Sequence, residues 1–132
     1  MNDPTLRRLA ESKNFLLVHS FESVVVIDKR DGSTRDAGDH YGDPVAGLIT
    51  PDERWYVSVG EGVQCFSAEG ALLTFFRRGT PPLGPESAMP AWFASAVNLN
   101  AAQTLIVTFE PNDCDAPEWA IDLNTATVTK LR

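Results

Sequence analysis

The sequence predicts an all-β fold: an antiparallel meander of about three blade-like units, bent into a sandwich or open barrel, within a single domain over residues 1–132. Three observations predict it. Beyond residue 14, apolar residues recur with a period of two or in short continuous runs. Val, Ile, Phe, Trp, Tyr and Thr crowd those runs, as a pleated, half-buried surface favours. The gaps are short and carry turn chemistry, such as "KRDGS", "TPDE", "GEG", "AEG" and "LNTAT", and short gaps favour antiparallel neighbours.

The first dozen residues are the one place where the sequence suggests a helix. Asn2 or Asp3 caps it, Pro4 suits its first position, and Leu6 and Leu9 give it an apolar side, for one or two turns. Strands follow at 15–20, 23–29, 33–36, 45–50, 54–60, 62–67 and 71–77, then at 93–99, 104–109, 118–123 and 126–131. Asp28 and Asp122 each follow an isoleucine and precede a turn, where a carboxylate accepts backbone N–H groups. Residues 77–92 contain Pro81, Pro82, Pro85 and Pro90, which remove ladder donors. That stretch reads as a long surface loop, a kind that is usually functional or mobile.

An internal repeat runs through these strands. Residues 45–76 and 93–131 each show an apolar strand, a polar turn, a second strand, a break, a third strand with a small turn, and a fourth. Residues 15–36 match the last three strands of that unit. Thr50-Pro51-Asp52, Trp55 and Gly62-Val63 sit where β-propeller blades, including the WD-repeat type, often carry Ser-Pro-Asp-Gly, an aromatic and Asp-Gly. The chain resembles such blades over about 110 residues, although Glu53 stands in place of the turn glycine and Cys65-Phe66-Ser67 in place of Trp-Asp. The resemblance implies four-stranded units. Three units are fewer than a closed ring of blades needs.

Charge and motif content narrow the function. A net charge of −7 repels nucleic acid and anionic membranes and favours basic partners. No apolar run is long enough to span a bilayer, and no apolar segment of a secretory signal follows Met1, so a cytoplasmic chain is expected. Cys65 and Cys114 belong to no metal or redox motif and read as two reduced thiols. Phosphate-binding glycine loops, nucleophile elbows and zinc signatures do not occur, so neither catalysis nor a cofactor is expected.

Two acidic segments carry the candidate contact residues. Asp36, Asp39, His40, Tyr41 and Asp43 fall within residues 35–44. Carboxylates and imidazole are metal ligands, yet the calcium-loop spacing is missing, and no nucleophile is paired with His40 in a known motif. The segment reads first as a solvated acidic loop and next as a partner-binding loop, ahead of a metal or catalytic site. Glu110, Asp113, Asp115 and Glu118 surround Cys114, where they raise its pKa and offer a surface to a basic partner. Trp92 closes the proline-rich loop beside Phe93 and reads as a core residue or, if partly exposed, as an interface anchor. A small, acidic, all-β chain with acidic loops resembles, in type, the immunity proteins that neutralise bacterial toxins by occluding their active sites. The expectation is therefore a non-catalytic protein-binding module with a basic protein partner, monomeric or homodimeric. The alternative is a propeller-like structural module that self-associates.

Overall fold

The computed structural model describes residues 5–77, 79–82, 93–100, 103–110 and 118–131. Among these residues the fold is all β, with twelve strands and no helix. The first four strands are β1 (Leu6–Glu11), β2 (Phe15–Ser20), β3 (Ser23–Asp28) and β4 (Thr34–Asp39). The next four are β5 (Ala46–Ile49), β6 (Trp55–Gly60), β7 (Gly62–Ser67) and β8 (Leu72–Phe75). The last are β9 (Ala94–Asn100), β10 (Thr104–Phe109), β11 (Glu118–Asp122) and β12 (Thr127–Lys130). They form three antiparallel four-stranded meanders, sheets I (β1–β4), II (β5–β8) and III (β9–β12), packed against one another and not closed into a barrel.

The N-terminal helix is corrected: Leu6–Glu11 is a strand. It pairs with β2 from Leu6↔Ser20 to Glu11↔Leu16, with an irregularity between Arg8 and Ala10. A helix of one or two turns is unstable alone, whereas as a strand this segment satisfies its backbone on β2. Leu9 then packs onto sheet II. β1 is also the missing first strand, so the first unit has four strands like the others.

Sheet II lies between its neighbours, and β6 and β7 are buried throughout except for Trp55. Tyr56 and Phe66 pack with Leu17, Val24, Val26 and Ala37 of sheet I. Val57, Val59, Val63, Cys65 and Phe75 pack with Val97, Leu105, Val107, Phe109 and Ile121 of sheet III. Phe76, also buried, places its ring edge-on to Phe109 at 4.6 Å and to Trp119 at 5.4 Å. Gly47 lets β5 approach β1, because a Cβ there would sit 2.7 Å from Leu9 Cβ. Cys65 is a free thiol at the centre of this core, and burial pushes its pKa up.

The two outer faces differ. In sheet III, Asn98, Asn100, Thr104, Thr108, Thr127 and Thr129 alternate with the core residues and face outward, with Ala96, Ile106 and Ala120 among them. In sheet I, Leu16, Val18, Val25 and Ile27 alternate with the inward residues. The Lys29–Glu11 pair (2.8 Å) reaches across β2 and is joined by Arg8–Glu11 (3.0 Å).

A latch ties sheets I and II at the end holding the β5–β6 turn. Glu53, the residue that replaces the blade glycine, has φ 59°, in the left-handed region. Its carboxylate accepts from the Ser12 hydroxyl, from the Asn14 backbone N–H (2.9 Å) and from Asn14 Nδ2 (2.9 Å), all at the β1–β2 turn. Left-handed backbone costs a non-glycine residue about 1–2 kcal/mol, and these bonds offset it. Glu53→Ala should lower stability in urea unfolding because it keeps the strained backbone and loses the bonds. Glu53→Gly should lose about 1 kcal/mol less. An alanine variant as stable as the native chain would contradict the latch.

Candidate functional site

The β2–β3, β4–β5 and β6–β7 turns, the start of β9 and the end of β10 all lie at one end of the stacked sheets. The β4–β5 connection there is shorter than the sequence suggests. β4 runs to Asp39, so Asp36 and Asp39 belong to a strand and not to a loop. Asp36 is exposed and opposite Val25, on the outer face of sheet I, away from this end. Asp39 lies at the end, with a carboxylate oxygen 3.4 Å from Arg77 Nη1.

His40, expected as a contact residue, is only 3% exposed. Its Nδ1 lies 3.2 Å from the Glu61 carbonyl and its Nε2 2.8 Å from Ser58 Oγ. The carbonyl only accepts, so Nδ1 carries the proton, and the buried Ser58 hydroxyl donates to Nε2. Burial, opposed by the bond to Glu61, lowers the His40 pKa to about 4. Serine and histidine thus meet, but both are enclosed, and the pair pins the β4–β5 connection onto sheet II. Beside it, Gln64 Nε2 and Arg77 Nη2 both donate to the Asp39 carbonyl, at 2.9 and 2.5 Å, while Thr74 Oγ1 donates to Gln64 Oε1 at 2.9 Å.

Immediately beyond His40 the surface opens into a cleft of about 380 Å³, lined by Tyr41, Gly42, Asp43, Val45, Gly60, Glu61, Phe93, Ala94 and Glu110. Two backbone contacts fasten sheet III to sheet II here. Glu61 and Phe93 form an antiparallel bridge, and Glu110 N–H donates to the Phe93 carbonyl at 3.0 Å. Gly60 forms part of the floor, because a Cβ there would come within 3.1 Å of Pro44 Cα. Gly42 is held by its N–H to Glu22 Oε2 at 2.7 Å. The rim is apolar and exposed: Tyr41 is 78%, Val45 61% and Phe93 41% accessible. Such side chains in a group mark a contact surface more strongly than scattered ones do. Of the carboxylates, Glu61 lies 3.9 Å from Arg77, whereas among the described residues Asp43 and Glu110 form no ion pair.

The structure therefore gathers Tyr41, Asp43 and Glu110 from the two acidic segments around one cleft. Asp39 stands close by on β4, His40 lies beneath, and Asp36 is elsewhere. Glu118 opens β11 beside Thr108, on the outward face of sheet III at the same end. Trp92, Asp113 and Asp115 lie outside the described residues, as does Cys114. Phe93, Val45 and Glu61 were not singled out by the sequence. Phe93 reads there as the first residue of a strand, and only its bridge to Glu61 reveals its place.

A second cleft, of about 280 Å³, opens at the far end between sheets I and II beside Phe15, Arg30, Arg35, Glu53 and Tyr56. Its charges are mixed, and Arg30, chiefly through its side-chain bonds, holds the Asp28 carboxyl down to about 2. Among the described residues no three His, Cys, Asp or Glu side chains are grouped to hold a metal ion, and no helix is long and apolar enough to cross a membrane. The chain matches no protein-family model, and comparison with curated proteins finds no relative.

His40 gives the fold a pH dependence. Its folded pKa of about 4 lies below the ordinary 6.5. The unfolded chain therefore binds the extra proton first, and stability is full above pH 6.5 and falls as pH drops toward 4. By pH 5 the loss is about 2 kcal/mol. Urea unfolding between pH 7 and pH 5 should show this loss in the native chain and much less of it in His40→Gln. An equal loss in both would place the titration elsewhere.

Proposed function

We propose that this chain is a non-catalytic protein-binding module that meets a basic partner through the end built around the Tyr41–Phe93 cleft. Of such modules we favour an immunity protein that occupies the active site of a bacterial toxin in the cytoplasm. The observation that carries the reading is the convergence of three exposed apolar side chains with the carboxylates of Asp43 and Glu110, drawn from the connection between sheets I and II and from the flanks of β9 and β10 in sheet III. Apolar anchors inside a charged rim are the usual division of labour at protein interfaces: anchors hold, and rim charges steer. The −7 net charge extends the steering field beyond the cleft.

The self-associating scaffold is the less supported reading. Completing a ring of stacked sheets would cover the outer face of sheet III, and that face, which carries Ala96, Ile106 and Ala120 among asparagines and threonines, is more polar than the buried faces of valine, leucine and phenylalanine.

The reading requires a toxin that arrests growth when expressed alone and is silenced when this chain is co-expressed. With the purified pair at low salt, Asp43→Asn combined with Glu110→Gln should slow association about tenfold, and added salt should slow the native pair likewise. Asp31→Asn combined with Glu69→Gln, at the opposite end, removes the same charge and should change the rate far less. Equal effects from both pairs would move the contact surface away from the cleft.

A further inference from the structure

We infer that the cleft is a receptacle for an arginine side chain of the partner. The inference rests on the protein-binding reading above and specifies what enters the site. The occupant has to satisfy two features of the cleft at once. Its rim is apolar and aromatic, through Tyr41, Val45 and Phe93, and it carries two carboxylates, Asp43 and Glu110, that form no ion pair among the described residues. An apolar side chain would leave those exposed carboxylates without a counter-charge. An acidic one would be repelled.

Between the two cations, the lining selects arginine. An ammonium is compact and strongly hydrated, and it loses much of that hydration against aromatic walls. A guanidinium is planar and weakly hydrated. It stacks on rings and presents a fork of donors to carboxylates. The far end of this same molecule already uses that chemistry. Arg30 lies 5.2 Å from the Phe15 ring centroid while its Nε and Nη2 donate to Asp28, and Arg35 lies 5.2 Å from that of Phe66. Arg77 serves Glu61 at the back of the cleft at 3.9 Å, and at Asp43 and Glu110 the cleft offers carboxylates beside aromatics without an ion-paired arginine among the described residues.

Blocked tri-arginine and tri-lysine peptides, titrated into the ¹⁵N-labelled full chain, test this. The arginine peptide should shift the Gly42, Val45, Gly60 and Phe93 amides saturably, and it should bind about two- to fivefold more tightly than the lysine peptide. Tyr41→Ala with Phe93→Ala should abolish that preference while leaving weak binding of both peptides. Asp43→Asn with Glu110→Gln should weaken both. Equal binding of the two peptides at this end, unaffected by loss of the aromatics, would overturn the arginine receptacle and leave the acidic contact surface standing. An absence of shifts at this end with either peptide would overturn both.

Discussion

Tyr56 and Val57 are neighbours in β6, yet they face into different cores. Tyr56 lies against Phe15 and the valines of sheet I, and Val57 against the aliphatic side of sheet III. The same division continues along β6 and β7, where residues toward sheet I (Tyr56, Ser58, Gln64, Phe66) alternate with residues toward sheet III (Val57, Val59, Val63, Cys65). Each buried Val or Phe contributes about 1.5–3 kcal/mol relative to exposure, and both faces of sheet II draw on this. Sheets I and III each have only one face against another sheet. Without sheet II, neither would have a core.

Burial on both faces also decides where polar groups go. Ser58 and Gln64 point into the seam with sheet I, and each is matched: Ser58 by His40, and Gln64 by Thr74 and the Asp39 carbonyl. Among the described residues no buried side-chain polar atom lacks a partner. An unmatched buried polar group costs about 1–3 kcal/mol, so these bonds fix how the β4–β5 connection leaves the sheet. That connection presents Tyr41, Asp43 and Val45, and the Glu61–Phe93 bridge sets sheet III beside them. The cleft is thus built from a connection pinned to sheet II and from residues that flank the strands of sheet III.

Most of the strands were legible because period-two alternation and turn residues report local structure. The turn roles of Asp28 and Asp122 were legible too: their carboxylates accept the N–H groups of Arg30 (2.9 Å) and Asn124 (2.8 Å). β1 was misread for a physical reason. The irregularity between Arg8 and Ala10 breaks the alternation, so Leu6 and Leu9 fall at the spacing of a helix while the chain runs as a strand. His40 reads as solvated between Asp39 and Tyr41, and its burial depends on Ser58, eighteen positions away. The cleft was half legible. Its carboxylates announce themselves as acidic segments, but its joining to Phe93 is a tertiary contact with no local signal. Glu53 was visible as a departure from the blade pattern, and its reason appears only in the carboxylate bonds to Ser12 and Asn14.

Amide hydrogen exchange resolved by residue is the most direct measurement of whether sheet II carries the fold. Core elements open only with the whole molecule, and peripheral ones open earlier. The amides of β6 and β7, from Tyr56 to Phe66, should exchange slowest and report the global unfolding free energy, and β4 and β12 should exchange faster. If β6 and β7 exchanged early while sheet I or sheet III kept its protection, the two-faced burial of the middle sheet would not be what holds this protein together.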